Sequence, residues 1–242
     1  MFRKWVVVSA AAIAGLIGSA NFTQAAPKAL TGVDASGNTF SSGWTWEVAD
    51  ASAGQVNLVY IRTDASGAFF FEKDAVISNN NSPLVIRFAP VAGETQAPLV
   101  IADEAVANNS GADWSGFRMV LSATSGSFGF GTTDGSQPGA AGGFRIDPFT
   151  TATFASGTSD LTLGGGTVAS GSTWFPGAQS SVGLSLVVSG NQAFELKEIA
   201  LTGGNTGPGP AIPLPAGVWT GLSGLAGLAL LGAAKHAKRH LA

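Results

Sequence analysis

Apolar and polar side chains alternate with a period of two in several separate stretches of this chain. Val182, Leu184, Leu186 and Val188 share one face of an extended segment, with Gly183, Ser185 and Ser189 largely on the other. Phe117, Met119 and Leu121 alternate in the same way, opposite Arg118. Residues 55–62, 68–73, 84–89, 98–105 and 193–201 also read as strands, because period-two patterning places one set of side chains against a core. Turn signals separate them: Ala65-Ser66-Gly67, Asn79-Asn80-Asn81-Ser82-Pro83, Ser125-Gly126, and the run from Asp134-Gly135 to Gly143. No long stripe at helical spacing interrupts this middle region. Eight or more short strands so punctuated predict an all-β domain, an antiparallel β-sandwich or jelly roll.

Both ends break the pattern. Arg3 and Lys4 precede a largely apolar run from Trp5 to Ile17, and small residues follow as far as Ala26. A basic start, a short apolar stretch and an Ala-bearing end make a secretory signal helix. Thr23-Gln24-Ala25 places cleavage after Ala25, with Ala26 as the alternative. The thirteen apolar-run residues rise only about 20 Å as a helix, against roughly 30 Å of bilayer hydrocarbon. A leader of this kind implies signal peptidase and the Sec export machinery as partners. At the other end, Ala216 to Ala234 contains no charged residue, and Lys235, Lys238 and Arg239 follow. Nineteen residues rise about 28 Å, which nearly spans a membrane, and the cations behind them favour the cytoplasmic side. Gly217 and Gly221, then Ser223 and Gly227, stand at small-xxx-small spacing, which suits either close helix approach or a weak anchor. The expected organisation is a leader over 1–25, a β domain over 26–202, a Gly/Pro linker over 203–211, and a tail over 212–242.

The tail opens with Ile212-Pro213-Leu214-Pro215-Ala216. This pentapeptide, the glycine-bearing apolar segment and the basic terminus, in that order, resemble the C-terminal sorting signals called PEP-CTERM, and the VPLPA-CTERM variant in particular. Ile212 stands where the variant has Val, and Leu214 where the parent motif has Glu. The resemblance implies recognition by an exosortase-type membrane enzyme, transient anchoring in the inner membrane, and delivery to the cell surface or beyond. It also implies association with extracellular polysaccharide of an envelope or biofilm. The physics of the motif suits processing, since two prolines fix an extended backbone that cannot join a helix or a central strand. A permanent single-span anchor is the alternative. The segment from Ile101 through Asn108-Asn109-Ser110-Gly111 to Trp114 and Phe117 is similar to one in cargo proteins of that class, with Ser110 where Thr is commoner. In it Asn109 and Gly111 can take the left-handed backbone that a tight turn requires. Phe194-Glu195-Leu196-Lys197-Glu198 also resembles the last strand of such cargo.

Charge changes the picture in one respect. The leader and tail hold five of the twelve Lys and Arg residues and none of the fifteen Asp and Glu, so the middle carries about −8. A surface of that sign repels phosphate backbones, which argues against nucleic acid as a partner. There is no cysteine, and both histidines, His236 and His240, lie in the tail. The β domain therefore cannot run Ser-His-Asp or Cys-His chemistry, and it lacks the usual zinc and copper ligands. No cofactor motif is present. Gly164-Gly165-Gly166 lacks the Lys-Ser/Thr of a phosphate loop, and Asp134, Asp147 and Asp160 could bind calcium only outside any Asp-x-Asp-x-Asp-Gly pattern.

Two candidate sites are left. Trp44 and Trp46, two apart on one strand face, suit either a sugar-stacking platform or core packing, and core is the commoner use of such pairs. Glu72 and Asp74 can share a face as a glycosidase pair or stand as solvated acids around Lys73, whereas Asp103 and Glu104, being adjacent, must face opposite sides. The reading is of a non-catalytic exported protein, with a carbohydrate-binding module or a carboxylate-based glycan hydrolase as rivals.

Overall fold

The computed structural model describes residues 26–203 except 35 and 156. The leader, with Ala25 at its cleavage point, and the sorting motif, apolar segment and basic cluster all lie outside the described residues. Ala26 is exposed, just ahead of the first strand. The described residues are all-β, with no helix among them.

Seven strands form one antiparallel sheet: β1 (Lys28–Val33), β2 (Thr39–Val48), β5 (Leu84–Pro90), β13 (Phe194–Thr202), β7 (Trp114–Ala123), β10 (Asp160–Val168) and β9 (Thr151–Ala155), in that spatial order. The second sheet runs β3 (Gly54–Thr63), β4 (Phe69–Ile77), β6 (Leu99–Asn108), β12 (Leu184–Val188) and β8 (Phe128–Thr132), and β11 (Thr173–Trp174) also pairs with β6. Alternating residues of both sheets meet in one core. From the first sheet come Ile86, Phe88, Phe117, Leu121 and Leu196; from the second come Phe69, Phe71, Ile101, Val106 and Leu184. The architecture is that of a β-sandwich.

The second sheet departs from the antiparallel expectation, because β4 and β6 pair in parallel. The chain between them makes β5, which belongs to the other sheet. Two crossings of the sandwich return the chain in its original direction, so the pair it completes is parallel.

Local chemistry explains several turns. At the β3–β4 hairpin the Asp64 carboxylate accepts hydrogen bonds from the Ser66 and Ala68 amides, and Gly67 takes φ +82°, closed to most other residues. In the expected Asn-Asn-Ser-Gly turn, Gly111 is left-handed at φ +81° but Asn109 is not. Asn108 takes over the role of local pin: it is fully buried, its amide donates to Ala112 O at 2.9 Å and Val168 O at 3.1 Å, and its carbonyl accepts from the Ser110 hydroxyl at 2.6 Å. The turn is thus held from within, and Asn109 has no need of strained backbone. Trp114 closes this corner, its indole N–H donating to Asn80 and Ser110.

Candidate functional site

Trp44 and Trp46 do share a face of β2, and it is the inward one. They are 4% and 5% exposed. The Trp44 N–H donates to Ala97 O at 3.0 Å, and Phe194 meets its ring edge-on at 5.2 Å. Lys28 sits 5.0 Å over the Trp46 ring. Neither indole offers a free face to a sugar, because the rings are spent on the core.

Glu72 and Asp74 share the outer face of β4, and Asp103 of β6 is the register partner of Glu72. Asp103 and Glu104 face opposite ways, as adjacency requires. Burial, then the neighbouring charges of Asp103 and Asp74, raise the Glu72 pKa; burial, then Asp74, raise that of Asp103. The three acids make a half-buried, mutually repelling group.

The aspartates considered for calcium are dispersed. Asp134 caps its own turn through Ser136, Asp147 pairs with Arg145, and Asp160 takes a two-point ion pair from Arg118. Among the described residues no group of three or more His, Cys, Asp or Glu side chains could hold a metal ion.

The strongest concentration of chemistry lies between those acids and the core. On β4 the inward set is Phe69, Phe71, Lys73, Ala75 and Ile77, so one ammonium points into the sandwich among apolar neighbours. Its Nζ lies 3.0 Å from Glu104 Oε2 of β6 and 2.8 Å from Glu198 Oε1 of β13. Glu104 is its in-sheet register partner, while Glu198 reaches it from the opposite sheet, where Leu84 and Met119 flank the carboxylate. The residues are 0%, 2% and 1% exposed. Among the described residues, no donor other than Lys73 reaches any of the four carboxylate oxygens. Burial works to lower the Lys73 pKa, but Glu104 and Glu198 outweigh it and hold the ammonium above its ordinary value. Burial pushes Glu104 up to about 7 against the pull of Lys73. Two buried carboxylates thus share one cation, an arrangement that a low-dielectric interior tolerates poorly.

The outer face of the seven-stranded sheet carries a second polar feature. Glu47, Arg87 and Glu195 line up across β2, β5 and β13, with Arg87 Nε donating to Glu195 at 2.9 Å and Lys197 pairing with Glu195 at 3.1 Å. They border a shallow groove of roughly 440 Å³ that Thr45, Ser122 and Thr124 also line.

The chain matches no protein-family model, no curated protein and no solved structure.

Proposed function

We propose that this chain is an exported cell-surface or extracellular-matrix protein without catalytic activity, its sandwich serving as the cargo and its tail as the sorting signal. The observation that carries the reading is the order of Ile212-Pro213-Leu214-Pro215-Ala216, an uncharged stretch to Ala234, and Lys235, Lys238 and Arg239. An exosortase-type membrane enzyme is the partner that reads this order. Signal peptidase and the Sec machinery act at the other end, next to Ala25 and Ala26. The leader helix and the membrane-spanning tail helix belong to this proposal.

The domain supports it in two ways. Its first described strand opens at Lys28 and its last closes at Thr202, which matches the stretch that this reading assigns to the cargo. Its inward-facing tryptophans favour core packing over a sugar-stacking platform. Association with extracellular polysaccharide completes the reading.

Intact mass and location test the proposal together. In cells with their exosortase, the chain should lack both the residues before Ala26 or Pro27 and the basic terminus, and should leave the inner membrane. Without that enzyme it should keep its tail and stay membrane-bound. A chain retaining Ala242 in both strains would sink the sorting claim.

A further inference from the structure

Lys73, Glu104 and Glu198 are a nucleophile, an electrophile and a proton carrier held in contact where solvent does not reach. We propose that Lys73 and Glu104 condense into a side-chain amide after folding, with Glu198 moving the proton, so that the finished sandwich carries a covalent bond between β4 and β6. This inference is independent of the sorting proposal.

The geometry favours the bond in three respects. The nitrogen lies 3.0 Å from a Glu104 oxygen, and paired strands fix both backbones, so the encounter that makes amide formation slow in solution has already occurred. Essentially complete burial of all three residues opposes the reverse reaction, because hydrolysis needs water at the carbonyl carbon. Glu198, at 2.8 Å from the same nitrogen and fixed on the opposite sheet, is placed to act as general base and then general acid.

The step balances within the triad. The Lys73 ammonium gives one proton to the Glu104 carboxylate, leaving a neutral amine beside a carboxylic acid. That transfer runs against the ion pairing that holds Lys73 above its ordinary value, and burial, which pushes Glu104 up to about 7, offsets part of it. The amine lone pair attacks the Glu104 carboxyl carbon, and Glu198 accepts the proton that the nitrogen sheds. The tetrahedral intermediate collapses as Glu198 returns that proton to the departing hydroxyl, which leaves as water. A C–N bond has formed, a C–O bond has broken, and Glu198 is again a carboxylate. No oxidant, metal or activated co-reactant enters. Three buried charges become one, and that one gains an amide N–H as neighbour, which relieves the desolvation cost of the ion triad.

Trypsin digestion of the denatured full-length chain, followed by mass spectrometry, tests the bond. The expected product joins residues 63–87 to residues 88–118, one water lighter than the two peptides together, with fragment ions locating the link at Lys73 and Glu104. Lys73→Arg should abolish the joined species, and Glu198→Gln should slow its appearance on the order of 100-fold or more. Recovery of 63–87, or its pieces 63–73 and 74–87, apart from 88–118 and at unmodified mass would overturn the proposal. So would a link mapped to Glu198, or a Glu198→Gln chain that cross-links as fast as wild type. The wild-type digest decides the matter even if both variants fail to fold.

Discussion

At the scale of single residues, the outer-face acids yield the clearest prediction. Asp74 contributes to the raised pKa of both Glu72 and Asp103. In Asp74→Asn, carboxyl NMR titration should show both neighbours moving back down toward ordinary carboxylate values. The sign of the stability effect follows from linkage. A carboxyl whose pKa is higher folded than unfolded holds its proton better in the native state. Stability therefore falls as pH rises from the ordinary carboxylate range through the raised folded values. Chemical denaturation across that window should show the decline in wild type and a shallower one in Asp74→Asn; equal slopes would refute the coupling. These acids were legible as residues sharing a face, because period-two alternation alone puts Glu72 and Asp74 together. Two members of the triad beneath them were legible by the same rule. Lys73 falls in the set Phe69, Phe71, Ala75, Ile77, and Glu198 in the set Phe194, Leu196, Ala200, so each is the charged member of an otherwise apolar face. What the pattern could not show is that the two faces meet, or that the register shift between Phe71/Glu72 of β4 and β6 brings Glu104 opposite Lys73. Partnership across a sandwich is tertiary information. The tryptophan pair makes the same point from the other side, since alternation said that Trp44 and Trp46 share a face and only the packing says which one.

At the scale of elements, the glycines separate two physical demands. Gly67 has φ +82° and open space around its missing Cβ, so Gly67→Ala should cost only the left-handed backbone penalty of about 1–2 kcal/mol. Gly166 has no such φ, yet a Cβ there would stand 2.1 Å from Pro148 O. Gly166→Ala must push the segment leading into β9 away from β10, and denaturant melts should show it losing more stability than Gly67→Ala. The reverse order would contradict the packing. This run also shows where strand reading fails. β5, β7, β12 and β13 announce themselves by bulky alternation, whereas β9 and β10 are built from Thr, Gly and Ala with few apolar markers. Gly164-Gly165-Gly166 carries no apolar alternation, yet β10 runs through it with a register shift between Gly164 and Val168. The parallel pairing of β4 with β6 was hidden for another reason: strand patterns carry no record of which sheet the intervening strand joins.

At the scale of the whole molecule, the last strand is the keystone. β13 lies between β5 and β7 in the middle of the seven-stranded sheet and brings Glu198 to Lys73. A chain ending before Phe194 would leave β5 and β7 each without a partner on one side, strip the core of Phe194 and Leu196, and take Glu198 from the buried ammonium. It should fail to give a cooperative melt. A chain ending after Gly203 keeps all thirteen strands found among the described residues and should melt like the intact domain. Equivalent melting of the two truncations would refute the topology. Non-local closure of this kind also predicts slow folding, because the central position cannot be filled until the end of the domain has been made.

That placement of β13 has a mechanical consequence. A pull arriving through the residues after Gly203 is delivered to an interior strand with neighbours on both sides, paired along Phe194 to Glu198 with β5 and Phe194 to Thr202 with β7. Traction along its axis shears these rungs together, where the same tug on an edge strand could peel them one at a time. An anchor joined after Gly203 would therefore load the domain through shear along a central strand rather than through peeling of an edge.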